Sequence, residues 1–209
     1  MPINDDNIGW NRKRIFISAK DMLGLLEDTS SKYLTSLGAG TPVFGEIISA
    51  AQLAAMLMNA AGNEIHHIMP IPWDMDTTQP MRFRVWFTHA STDADAPIWK
   101  VHYRYYAKLE AIGTAMTADE SVTFTAHTVS TTSGVLEVTA WAESASETYV
   151  REGDFAIGLA LECDSLGSAT ANEIGLFGLE IQYTVAAAPN NARRITDGQP
   201  PSSSTDPNV

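Results

Sequence analysis

The sequence predicts an all-β chain: an antiparallel, eight-stranded jelly-roll sandwich with an extended N-terminal arm and a disordered C-terminal tail. Three observations carry this. Apolar and polar residues alternate with period two in run after run between residues 43 and 186, the pattern of strands with one buried face. Short turn-like segments separate the runs, with no long helical periodicity between them, as in sandwiches and barrels. Threonine, which suits a half-buried pleated surface, is frequent.

The elements follow in order. Residues 1–42 read as the arm. Within it, residues 20–27 place Met22, Leu25 and Leu26 on one helical face, with Ser18 as the cap and Asp21 at the third helical position. Gly38, Gly40 and Pro42 then break the chain. On this reading the arm is dispensable for folding of the β core. Residues 43–186 form the sandwich. Residues 45–51 suit a strand, while the Ala, Leu and Met of residues 51–60 suit a short helix. Residues 64–71 make a less regular strand. In 82–88, Phe83, Val85 and Phe87 face one way and Arg82, Arg84 and Trp86 the other. In 98–106, Trp99, Val101, Tyr103 and Tyr105 alternate with Lys100, His102 and Arg104. Runs 122–129, 135–141 and 155–161 repeat the pattern, the second with Leu136, Val138 and Ala140 expected inward. The last run alternates Phe177, Leu179, Ile181, Tyr183 and Val185 with Gly178, Glu180, Gln182 and Thr184. Gly175 and Gly178 lie in this strand pattern, where glycine points to close backbone or aromatic packing. Residues 187–209 carry four prolines, three serines and few large apolar groups, too little to repay ordering.

Composition narrows the function classes. The 209 residues hold 25 acidic and 13 basic side chains, for a net charge of −12. Only 18 % of residues are charged, against roughly 25 % in typical soluble domains. With 44 % apolar residues the chain is not disordered throughout. The sign of the charge excludes binding nucleic acid by bulk electrostatics. The lone cysteine, Cys163, sits in an apolar run and reads as a buried small hydrophobe. One cysteine cannot form an intrachain disulfide, which points to assembly in a reducing cytoplasm. The polar, acidic N-terminus lacks a signal-peptide pattern, and no apolar stretch reaches the roughly 18 residues of a membrane span.

No catalytic motif emerges. His66 and His67 are adjacent, so a strand turns them to opposite faces, and His89, His102 and His127 stand alone in sequence. No metal and no cofactor are expected. Asp74 and Asp76 read as turn residues rather than as a calcium loop. There is no nucleophile elbow, and residues 38–42 lack the lysine of a phosphate loop. Glu110, Glu137, Glu143 and Glu162 offer carboxylates without a spacing that selects a pair. The chain is expected not to be an enzyme.

The basic residues are more telling. Ten of the 13 fall in two groups: Arg12, Lys13, Arg14, Lys20 and Lys32 in the arm, and Arg82, Arg84, Lys100, Arg104 and Lys108 on two consecutive strand runs. If those runs are neighbours they form one basic patch with Trp86. Such a patch is either a solvated sheet face or a docking surface for an acidic partner or glycans. Arg12, Lys13, Arg14, Arg82, Arg84, Lys100 and Arg104 are the docking candidates.

The segment Met69-Pro70-Ile71-Pro72-Trp73-Asp74-Met75-Asp76, followed by Pro80 and the strand over 81–88, resembles tailed-bacteriophage jelly-roll capsid decoration (cement) proteins. So does the closing Gly178-Leu179-Glu180-Ile181-Gln182-Tyr183-Thr184. The resemblance spans roughly residues 64–185. It implies a homotrimer on the outer capsid surface, the major capsid protein as partner, arms reaching neighbouring subunits, location in the virion, and no catalytic residues. The alternative on the same fold is a glycan- or receptor-binding head of a phage fibre, with Trp73, Trp86 and Trp99 as sugar platforms. A metal-dependent jelly-roll enzyme of the cupin type would need a close-spaced His-x-His, which is absent.

Overall fold

The computed structural model describes residues 12–22, 43–46, 54–76, 78–90, 96–108, 121–145, 154–169 and 173–186. The elements are β1 (Arg12–Ser18), α1 (Ala19–Met22), β2 (Val43–Glu46), β3 (Ala54–Met58), β4 (Asn63–Pro70), β5 (Arg82–His89), β6 (Ile98–Ala107), β7 (Ser121–Thr123), β8 (Leu136–Val138), β9 (Ala142–Glu143), β10 (Asp154–Ser165) and β11 (Ile174–Thr184).

The chain is an all-β sandwich of two antiparallel sheets. One is seven-stranded, with the order β2-β3-β11-β5-β8, β1 pairing with β11 and β9 with β5. The other is four-stranded, β4-β10-β6-β7. From β3 onward successive strands alternate between sheets, except that β6 pairs directly with β7 and that β8 and β9 both pair with β5. The interleaving of β3-β11-β5-β8 with β4-β10-β6-β7 is the double Greek key of a jelly roll. The strand β8 resumes as β9 along the same partner, β5.

Alternation explains the core. Phe83, Val85 and Phe87 of β5 and Trp99, Val101 and Tyr103 of β6 are fully buried. They face one another across the sandwich, with Phe83 and Tyr103 ring centroids 5.7 Å apart and Phe87 and Trp99 5.5 Å apart. Ile157, Leu159 and Leu161 of β10 and Leu179 and Ile181 of β11 complete the interior.

Four expectations are corrected. First, residues 12–18 are not a free arm. They pair in full register with β11, from Arg12 opposite Thr184 to Ser18 opposite Gly178, and bury Ile17. Removing the arm therefore removes a strand and part of the core. Ser18 Oγ accepts the Asp21 amide at 3.1 Å, as its expected cap role requires, and α1 is described over Ala19–Met22; residues 23–27 of the expected helix lie outside the described residues. Second, residues 54–58 form a strand, not a helix. They pair with β2 and with the start of β11, and this pairing overrides a composition that favours helix. A turn built on Gly62, with φ of 79°, leads from β3 into the other sheet, and Asn63 Oδ1 caps it by accepting the amides of Asn59 and Ala60. Third, β8 turns its polar side inward. Thr139 is buried and its hydroxyl accepts the Val85 amide at 3.0 Å, while Leu136 is exposed. Fourth, a bulge between Leu176 and Gly178 shifts the phase of β11, so that Leu176 rather than Phe177 points inward. The flanks 1–11, 23–42 and 187–209 lie outside the described residues.

Candidate docking face

The strand β11 lies between β1 and β5. Its register sets Arg14 and Arg82 opposite Gln182, Phe16 and Arg84 opposite Glu180, and Ser18 and Trp86 opposite Gly178. Because side chains alternate, the outer face of the seven-stranded sheet gathers Arg12, Arg14 and Phe16 from β1, Glu180 and Gln182 from β11, and Arg82, Arg84 and Trp86 from β5. Trp141 and Glu143 join from the β8–β9 side. Gly178 makes the close approach possible. A Cβ there would lie 2.3 Å from the Ile17 carbonyl oxygen and 2.8 Å from the Phe16 ring.

Glu180 is the hub. Its side chain is only 6 % exposed. One oxygen, Oε2, accepts Arg84 Nε and Trp86 Nε1, each at 2.7 Å, and Oε1 lies 3.4 Å from Arg14 Nε. Both arginines also stack on Trp141, Arg84 at 4.5 Å and Arg14 at 5.5 Å from the ring centroid. Phe16 meets the Trp86 ring edge-on at 5.9 Å and remains half-exposed. Around the hub, Arg82 Nε donates to Glu143 Oε1 at 2.5 Å and Arg12 Nη1 to Gln182 Oε1 at 3.0 Å. Arg12, Gln182, Arg82 and Glu143 line a small polar depression. On this face the four guanidiniums outnumber the carboxylates of Glu143 and Glu180, a local positive excess on a chain of net charge −12. The guanidiniums are held in place by these contacts rather than free in solvent.

Lys13 points the other way, toward the loop after β4. Its ammonium pairs with the buried Asp74 and lies 6.0 Å from the exposed Trp73 ring. Asp74 also accepts the Tyr183 hydroxyl at 3.0 Å. Burial works to raise the Asp74 pKa, but the hydrogen bonds from Lys13 and Tyr183 outweigh it and hold the carboxyl below its ordinary value. Tyr183 is pushed up to about 12 by burial and by the Asp74 carboxylate. Asp76 Oδ1 accepts the Thr78 amide at 3.0 Å, the turn role expected of it.

The single basic patch is a correction. Arg82 and Arg84 lie in the seven-stranded sheet, Lys100 and Arg104 in the four-stranded one. The link from β5 to β6 crosses between sheets, so consecutive runs face opposite sides of the sandwich. There Lys100 Nζ is 3.8 Å from Glu162, and the Arg104 guanidinium lies 5.8 Å from the Tyr106 ring. The arm arginines, distant in sequence, become the true neighbours of Arg82 and Arg84. The three tryptophans separate as well. Trp99 is in the core, Trp86 donates to Glu180, and Trp73 is 71 % exposed. Cys163 is buried, and burial raises its thiol to about 12.

No protein-family model matches the sequence. No curated protein matches it either. Among solved structures, the chain is similar to a Clostridium thermocellum endo-1,4-β-D-xylanase 10B comprising CBM22-1 and GH10 modules, complexed with xylohexaose. The identity is 18 %, the TM-score 0.37, and the match covers 71 % of this chain and 25 % of that one. The chain thus spans about a quarter of the protein it matches.

Sequence reasoning missed Glu180, Trp141 and Phe16. Glu180 sits on the polar side of an alternating run, where a solvated carboxylate is the default. Its burial follows from arginines on two neighbouring strands, one of them some 166 positions away in sequence, since Arg14 and Glu180 meet only through the β1–β11 pairing. No helix among the described residues is long and apolar enough to cross a membrane.

Proposed function

We propose that this chain is a structural virion protein, a decoration subunit that binds the outer surface of a phage capsid and stabilises it, acting as a homotrimer against the major capsid protein and performing no catalysis. The observation supporting this is the face built from β1, β11 and β5. Arginine and aromatic side chains are the residues that dominate protein interfaces. Here they are ordered in advance by Glu180, Gln182 and Trp141, which lowers the entropy cost of docking. The local positive excess suits an acidic subunit surface. The resemblance in the 69–76 and 178–184 segments supports the same reading.

The test is co-sedimentation of the purified chain with undecorated capsids. A double variant, Phe16→Ser with Arg82→Ser, alters exposed parts of the face and leaves Glu180 in place. Occupancy should fall at least about tenfold, the effect of about 1.4 kcal/mol. Unchanged occupancy would reject the face, and a strict monomer that binds no capsid would reject the decoration role. A second reading, a glycan-binding head, is favoured by Trp73 alone, whose indole is exposed beside a lysine. Glycan-array binding lost in Trp73→Ala would support it. An array without hits would remove it.

A further inference from the structure

The outer face of the four-stranded sheet holds a second cluster. Strand β10 runs between β4 and β6. Its Glu162 lies opposite both Glu64 and Lys100, and the next outward position, Ala160, lies opposite both His66 and His102. Two imidazoles thus flank a methyl group, and two carboxylates stand directly across from each other one step along the sheet. Like charges in directly opposed positions destabilise a sheet unless something compensates them. Lys100 Nζ, at 3.8 Å from Glu162, compensates one of the two. His102 Nε2 is 2.8 Å from Glu162 Oε2, and His66 Nε2 is 3.6 Å from Glu64 Oε2. Ligand atoms of Glu64, His102 and Glu162 lie within 4.8 Å of one another. All four side chains are partly buried, so they are neither lost in the core nor freely solvated.

We propose that Glu64, His102 and Glu162, with His66 as a fourth donor, form a site for a divalent transition-metal cation of the zinc class. Imidazole nitrogen with carboxylate oxygen selects such ions over calcium, which takes oxygen ligands. Small rotamer shifts bring the donors from their present separation to coordination distance. The ion takes up the excess charge of the Glu64–Glu162 pair and ties β4, β10 and β6 together on one face, leaving the docking face on the other sheet untouched. Its role is structural: it stabilises the folded chain by mass action. Sequence spacing cannot reveal it, because its ligands come from three strands.

The experiment is calorimetric titration of zinc into the metal-free full-length chain, with the thermal midpoint measured in parallel. One zinc per chain and a raised midpoint are expected. His102→Ala and the isosteric Glu64→Gln should each weaken binding at least about tenfold and abolish the rise in midpoint. His67→Ala, on the opposite face of β4, should bind as the wild type does. Circular dichroism establishes that each variant is folded, and if His102→Ala is not, Glu64→Gln alone decides. Cobalt(II) in place of zinc should give ligand-field bands that vanish in the same variants. Absence of zinc binding overturns the proposal. So does binding that survives both substitutions, or a preference for calcium over zinc.

Discussion

Glu180 shows how much one carboxylate can organise. It neutralises Arg84, accepts the Trp86 N–H and faces Arg14 while almost fully buried. Removing one member of such a set leaves buried charge without compensation. Glu180→Ala should therefore cost about 3 kcal/mol, read from the urea midpoint at constant slope. Glu180→Gln, which keeps an acceptor for Trp86, should cost less. Asp74 gives a pH signature. Its carboxyl titrates below the ordinary value in the folded chain, so its ionised form stabilises the fold at neutral pH. That contribution is complete above the unfolded-state pKa of about 3.9 and is lost as pH falls through the lower folded value. Asp74→Asn should lower stability at pH 7 and flatten the loss between pH 5 and pH 2, as measured by denaturation across that range. Cys163, buried and raised to about 12, should remain unmodified by a thiol reagent until the chain unfolds. Rapid labelling of the native chain would contradict its structural role. The sequence already placed Cys163 in the core and Asp76 in a turn. It could not show that Glu180 and Thr139 are buried, because what holds them so is a set of hydrogen bonds and ion pairs from other strands, not their own hydropathy.

Among the elements, β5 and β6 were fully legible, since strict alternation of aromatic and charged residues admits one reading. Strand β3 was not: Ala, Met and Leu satisfy a helix as well, and only pairing with β2 and β11 decides. Strand β1 reads as an arm in the sequence because its partner lies at the far end of the chain. Its dependence on Gly178 is testable. A Cβ at that position would meet the backbone of β1 itself, at Ile17 and Ser18. Gly178→Val should cost about 1–3 kcal/mol by overpacking and weaken the protection of β1 amides from hydrogen exchange more than that of β6 amides. Equal loss across both strands would show that the two sheets do not separate in stability. A chain lacking residues 1–22 should lose a large share of stability, because Ile17 and Met22 leave the core with β1, and with it the proposed docking face.

At the scale of the molecule, the jelly roll was visible in the number, spacing and period of the runs. The pairing that assigns each run to a sheet was not, because it depends on contacts between distant segments. That assignment settles which charges are neighbours. It splits the expected basic patch, joining Arg12 and Arg14 with Arg82 and Arg84 on one side and leaving Lys100 and Arg104 on the other. The two outer faces then differ in chemistry, arginine and aromatic on one and histidine and glutamate on the other. On the proposed reading, the first face meets a protein partner and the second holds a metal ion. The most direct measurement of the proposed decoration role is electron cryo-microscopy of tailed-phage particles incubated with the purified chain. Jelly-roll density is expected on the outer capsid surface, with the β1–β11–β5 face turned toward the capsid subunits. Density confined to a fibre tip, or a capsid-bound sandwich with that face turned to solvent, would contradict it.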